Sequence, residues 1–180
     1  HPHFLFNTLN TLYGFALKKA EETPEMILKL SNLLDYILYQ VDKPFVLLKD
    51  EIHHIEDYVL LEKMRFHDTL EVKMSVDEIS DSYQVAPMLL IPFVENSFKH
   101  GTIIDGKLSI SIVIATDENS LVFQIKNTAK KAEITADGIG LQNIRKRLQM
   151  LYKENFSLKI IQHAAAFEVI LKVNNLILKE

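Results

Sequence analysis

Side chains of four different chemistries crowd the end of one short stretch, Pro87–Gly101, which reads PMLLIPFVENSFKHG: Glu95, Asn96, Lys99 and His100. On a helix, steps of three and four residues place Asn96, Lys99 and His100 on adjoining rungs of one face. The first half of the stretch, with Met88, Leu89, Ile91, Phe93 and Val94, is too densely apolar for a solvent-facing helix. A buried helix with one polar face can form a ligand wall; an ordinary core helix with a wet end gives the same pattern. A second piece, Asp137–Leu148 (DGIGLQNIRKRL), sets Gly138-Ile139-Gly140 before a strongly helical run. Backbone amides at a helix N-terminus attract anions, and glycine lets phosphate approach with no Cβ in the way. A GxG alone is a weak signal. The chain has only five glycines, however, and Gly101, Gly138 and Gly140 stand at the ends of these two segments. That placement favours a shared nucleotide pocket. The neutral oxygen of Asn96 suits Mg2+, which takes few protein ligands and keeps its waters. Lys99 and His100 can donate to phosphate or ribose, or simply be solvated.

The surrounding patterns say what positions these groups. Leu5, Leu9, Leu12 and Ala16 fall at helical spacing, and Thr23-Pro24 supplies an N-cap and first-turn proline for a second helix. There Ile27, Leu30, Leu34, Ile37 and Val41 form the seam of a hairpin or coiled coil. Such a hairpin buries its second apolar face either against another copy, as a four-helix core, or against the rest of its own chain. Asp42-Lys43-Pro44 breaks the helix and divides the chain into residues 1–45 and 46–180. A helix follows with Asp50 and Glu51 in its first turn, where acids suit the macrodipole, and with Ile52, Ile55, Val59 and Phe66 as its stripe. Strand alternation marks Leu70–Val76, Leu108–Ile114, Leu121–Ile125 and Leu158–Ile160, then Phe167–Val173. The buried helix is expected over 85–100, a polar lid over Lys126–Asp137 and a further helix over 140–152. Helices on one face of a mixed, mostly antiparallel sheet make an α+β arrangement: a helical hairpin followed by an α/β two-layer sandwich.

The composition excludes several classes. With 48% hydrophobic and 24% charged residues and a net charge of −4, the chain has the make-up of a globular domain with no basic footprint for nucleic acid. Zero cysteines exclude disulfides and thiol catalysis. No apolar run approaches the roughly 20 residues needed to span a bilayer. The sequence opens inside a His-Pro-His motif without a starting Met, so a fragment of a longer protein is expected.

Several boxes together resemble a known family. ENSFKHG is similar to the asparagine box of the GHKL ATPases, and GIGLQNIRKRL to their second glycine box. HPHFLFNTLN resembles the phosphoacceptor box of LytS/YehU-type sensor histidine kinases, while YVLLEKMRF (Tyr58–Phe66) and APMLLIPFVEN (Ala86–Asn96) follow that family's pattern. The resemblance runs from the first residue to Tyr152, with the boxes in order. It implies the cytoplasmic kinase core of a two-component sensor, with a GHKL (Bergerat-type) fold. Its reaction would be ATP-dependent autophosphorylation, followed by transfer to a response regulator, with the LytTR type as candidate. His3 would be the acceptor, because it precedes Phe4-Leu5-Phe6-Asn7; His1 is the local rival. Glu95 would orient or deprotonate the attacking group. ATP would be held by Asn96, Lys99, His100, Asn127, Gly138, Gly140, Leu141 and Asn143, and Mg2+ by Asn96. The resemblance further implies a homodimer, anchored in a bacterial inner or plasma membrane through a preceding region. The histidines at 53, 54, 67 and 163 read as surface or packing residues. One box departs: where the family has Asp-x-Gly-x-Gly after a strand, this chain has Asn127-Thr128-Ala129-Lys130-Lys131. That departure keeps open a nucleotide-binding but catalytically weak signalling module, and a GHKL regulator that uses the fold for partner binding.

Overall fold

The computed structural model describes residues 2–130 and 139–178. Two helices, α1 (Pro2–Leu17) and α2 (Thr23–Tyr39), form the hairpin. A short strand β1 (Val46–Leu47) leads into α3 (Leu48–Phe66), followed by β2 (Leu70–Val76), β3 (Tyr83–Val85) and α4 (Ile91–His100). Then come β4 (Leu108–Asp117), β5 (Ser120–Thr128), α5 (Ile139–Tyr152), β6 (Phe156–Gln162), β7 (Ala166–Val173) and β8 (Ile177–Leu178). The main sheet is five-stranded in the order β2-β4-β5-β7-β6, and β1-β3-β8 form a smaller one. Only the β2–β4 pair of the main sheet is parallel, because its strands are joined by a crossover through α4; the other pairs are antiparallel. The expected mixed, mostly antiparallel α+β sandwich is observed.

Period-two patterning builds the sheet's inner face. Leu108, Ile110, Ile112 and Ile114 of β4 and Leu121, Phe123 and Ile125 of β5 are all buried, as alternation on a half-covered sheet requires. Phe93 of α4 meets Phe123 with ring centroids 5.9 Å apart, a pair worth about 0.5–1.5 kcal/mol beyond its buried area. This contact seats α4 on the middle of the sheet.

Four expectations need correction. The central helix begins at Ile91 rather than 85, because residues 83–85 pair as β3, Met88 turns left-handed (φ 55) and Pro92 lies in the helix's first turn. Thr23 is the first helical residue of α2 and Glu22 stands at the N-cap, with no side-chain capping bond. Lys126–Thr128 continue β5 rather than opening a lid; residues 131–137 of that expected lid lie outside the described residues. The α2 seam is displaced: Met26, Leu30, Leu33 and Tyr36 are buried, whereas Ile27, Leu34, Ile37 and Val41 are exposed. The buried face packs on α3, reinforced by the Lys29–Asp57 ion pair at 2.9 Å. One face of the hairpin therefore docks on its own chain, and a second apolar face stays open.

Candidate active site

Asn127 is the innermost polar group of the site. It continues the inward alternation of Leu121, Phe123 and Ile125, so the side chain lies on the covered face at the end of β5, 3% exposed. Its Nδ2 donates to the Thr128 carbonyl at 3.1 Å, which leaves Oδ1 as the acceptor. The C-terminal end of α4 is drawn against this strand end. A Cβ placed on Gly101 would stand 2.4 Å from Leu108 Cδ1, 2.5 Å from the Ser97 carbonyl oxygen and 3.4 Å from Asn127 Nδ2. Glycine is needed here for close approach and not for an unusual φ, which is −63°. Beyond it, Thr102 N donates to the Thr128 carbonyl at 2.8 Å, and Thr128 Oγ1 donates to the Thr102 carbonyl at 2.8 Å. The polar end of α4 is thus stitched to the strand carrying Asn127.

On α4 itself, Glu95 and Asn96 are half-buried and Lys99 and His100 are exposed. Partial burial first, then the neighbouring Lys99, lower His100 below its ordinary 6.5, which favours a neutral ring at pH 7. Gly140, Leu141 and Asn143 lie in the first turns of α5, with nothing within 4 Å of a Cβ built on Gly140. Gly138 lies outside the described residues. Among the described residues, no direct hydrogen bond joins Asn96, Lys99 or His100 to Asn127 or to the start of α5. Asn143 also lines a cleft of about 470 Å3 with Val41, Pro44, Pro87 and Met150. A separate cleft of about 590 Å3, at Lys29, His53, Asp57 and Met74, contains none of the expected ATP residues.

The turn before α4 is held from both sides by residues to which the sequence patterns assigned no such role. Glu51, expected only as a first-turn acid, is fully buried and accepts from the Tyr36 hydroxyl, from Met88 N at 3.1 Å and from Leu90 N at 2.9 Å. Burial pushes its carboxyl upward; these donors, Tyr36 foremost, pull it back. From α5, Arg147 donates to the Met88 carbonyl at 2.6 Å and to the Pro87 carbonyl, and the Tyr152 hydroxyl accepts from Ala86 N at 2.8 Å. A left-handed non-glycine residue costs roughly 1–2 kcal/mol. Met88 keeps that conformation with its N–H and its carbonyl each tied to a different helix.

His3 is exposed on the first turn of α1, with Nδ1 3.1 Å from Asn7 Nδ2 one turn on. Its neighbour Phe4 packs on Tyr58 of α3 at 4.6 Å between centroids, and Tyr58 meets Phe98 of α4 edge-on at 5.5 Å. The expected acceptor helix and the helix of Glu95 and Asn96 therefore share one aromatic contact. His54 stacks on Tyr36, His67 lies near Phe15 and His163 pairs with Glu168, in keeping with packing roles. Among the described residues no group of three or more His, Cys, Asp or Glu could hold a metal, and no helix is long and apolar enough to cross a membrane.

The model of the family described as Histidine kinase matches residues 1–70. The sensor histidine kinase BtsS of Escherichia coli K12 is 30% identical over 165 residues, covering 89% of this chain and 29% of its own length. The chain belongs to the histidine kinase family. Sensor protein LytS of Oceanobacillus iheyensis is 30% identical over 178 residues, covering 89% of the chain and 30% of its own; the chain spans under a third of these relatives. Among solved structures, the histidine kinase domain of the Erythrobacter litoralis blue-light activated kinase EL346 superposes with a TM-score of 0.57 at 9% identity. That match covers 97% of this chain and 96% of that one, so the shared fold extends through hairpin and sandwich alike.

Proposed function

We propose that this chain is the kinase core of a two-component sensor: it binds Mg-ATP between α4, β5 and α5, phosphorylates His3 and passes the phosphoryl group to a response-regulator aspartate. The observation that carries this reading is the convergence of the asparagine-box helix on the strand end at Asn127, with the acceptor box docked on α3 through Phe4 and Tyr58, whose ring also meets Phe98 of that same asparagine-box helix. Residues 1–45 act as the acceptor and dimerisation hairpin and residues 46–180 as the ATP-binding unit. The homodimer forms through the open apolar face of α1 and α2. In the full-length protein, a preceding segment anchors this core at the cytoplasmic side of a bacterial membrane.

The residues at hand fit the nucleotide and its metal. Asn127 Oδ1, at the buried end of β5, accepts from the adenine amino group. The Asn96 amide has no hydrogen-bond partner among the described residues and can ligate Mg2+, which neutralises phosphate charge when bound. Lys99 and a neutral His100 donate to phosphate or ribose, and Gly140, Leu141 and Asn143 line the phosphate side, a role the sequence box also gives to Gly138. In the transfer itself, a lone pair of the His3 ring forms the new N–P bond while the bond from the γ-phosphorus to the bridging oxygen breaks. ADP leaves with that pair, and Glu95 takes the ring proton. Asn127 favours a second reading, weak binding without vigorous turnover, because a neutral acceptor makes a weaker bond than a carboxylate. Calorimetry of Asn96→Ala tests the site: Mg-ATP affinity falls while the packed apolar half of α4 holds the fold. Unchanged affinity in a folded variant would overturn it.

A further inference from the structure

The docked acceptor helix meets a charged cluster to which the proposed chemistry has not yet given a role. Tyr58, Glu62 and Arg65 follow one another at steps of four and three on α3, so they share a face. Glu62 is 1% exposed, and its Oε2 accepts from Arg65 Nε at 3.0 Å and from Nη2 at 2.6 Å. Its Oε1 meets no donor in hydrogen-bonding geometry among the described residues, although the Tyr58 hydroxyl lies close enough to influence the carboxyl group. The Arg65 guanidinium lies 4.6 Å above the Phe66 ring, and its side chain keeps 26% of its surface exposed. Glu62, Glu95 and Arg65 all act on the Tyr58 hydroxyl. One ring thus joins this cluster to α4 through Phe98, and to the turn of His3 through Phe4.

A Glu–Arg pair whose carboxylate is buried is a poor device for stability alone, since the desolvation of that carboxylate offsets the attraction. What it supplies is a guanidinium with fixed geometry. Two of the five N–H donors are committed to Glu62, and the Nη1 edge remains. Phosphoryl transfer needs positioned positive charge around the moving group. We propose that Arg65 is a further catalytic residue of the kinase, its Nη1 edge donating to the phosphoryl oxygens as the group passes from ATP to His3, and that Glu62 is the positioning residue that holds it. In that step the His3 lone pair forms the N–P bond, the γ-phosphorus–bridging-oxygen bond breaks with ADP carrying off the pair, and Glu95 accepts the ring proton. Arg65 changes no bond of its own.

The inference rests on His3 as acceptor, and the test keeps the two separable. Parent, Arg65→Gln, Arg65→Lys and Glu62→Gln are compared for melting temperature, Mg-ATP affinity by calorimetry and first-order rate of His3 labelling at saturating ATP. Arg65→Gln is expected to bind Mg-ATP within about two-fold of the parent while labelling falls by about 10²–10³-fold, the range seen on removing one preorganised donor. Arg65→Lys restores only part of the rate, because an ammonium lacks the fork, and added guanidinium raises the rate of Arg65→Gln. Glu62→Gln lowers the rate with ATP affinity unchanged. A folded Arg65→Gln that labels His3 at the parent rate overturns the role of Arg65 and leaves the kinase reading intact. A loss that tracks melting temperature, unrelieved by guanidinium, shows a structural pair instead. A parent that labels elsewhere than His3 removes both.

Discussion

Gly101→Ala tests how tightly the end of α4 is drawn onto the sheet. The added methyl would stand 2.4 Å from Leu108 Cδ1 and 2.5 Å from the Ser97 carbonyl oxygen, far inside van der Waals contact. Leu108 is 2% exposed, in the core of the sheet's covered face, while the Ser97 carbonyl already accepts the Gly101 N–H at 3.0 Å. The helix end must therefore lift, loosening the bonds between Thr102 and Thr128. Overpacking of this kind costs about 1–3 kcal/mol, which for a chain of this size lowers the melting temperature by roughly 2–12 °C. Gly140→Ala is the matched control, because nothing lies within 4 Å of its new methyl. There alanine should leave stability unchanged or raise it by up to about 1 kcal/mol. Thermal unfolding followed by circular dichroism reads both. If Gly101→Ala melts with the parent, or Gly140→Ala falls as far, the close approach of α4 to β5 is wrong.

Three further outcomes follow from single contacts. Tyr36→Phe deprives the buried Glu51 of a donor and should cost about 1–3 kcal/mol in chemical unfolding, much of it absent when Glu51 is already Gln; full additivity of the pair would contradict the bond. Glu168 is held below its ordinary 4.5 first by the hydrogen bond from His163 and then by Gln124, so its contribution to stability is complete above pH 4.5 and lost as pH falls through the folded value; Glu168→Gln should flatten that acid limb, and an unaltered limb would refute the assignment. The open face of Ile27, Leu34, Ile37 and Val41 should make the chain a dimer by light scattering, with Leu34→Asp shifting it towards monomer; a parent that stays monomeric at high concentration argues against it.

Periodicity made the frame legible. The alternation of β4, β5 and β7 and the apolar density before Glu95 gave sheet and buried helix because burial on one face dictates both patterns. Asn127 could be extrapolated from Leu121, Phe123 and Ile125 by the same step of two. Contacts between distant segments were not legible. Glu51 reads as a first-turn acid favourable to the helix dipole, and nothing local shows that Tyr36, Met88 and Leu90 converge on it. Met88 reads as one more apolar helical residue, yet the ties from Glu51 and Arg147 hold it left-handed and delay the helix to Ile91. The α2 seam was misplaced because the helix is apolar on more than one face, and spacing alone does not say which face finds α3. Tyr58, Glu62 and Arg65 carried a usable signal in their steps of four and three, but a charged helical face is ordinarily read as solvated.

The most direct test of the kinase reading is incubation of the chain, and of His1→Gln and His3→Gln, with Mg2+ and ATP labelled at the γ-phosphate. The account predicts acid-labile, alkali-stable label on the parent and on His1→Gln, and none on folded His3→Gln. Label retained by His3→Gln and lost from His1→Gln would contradict it.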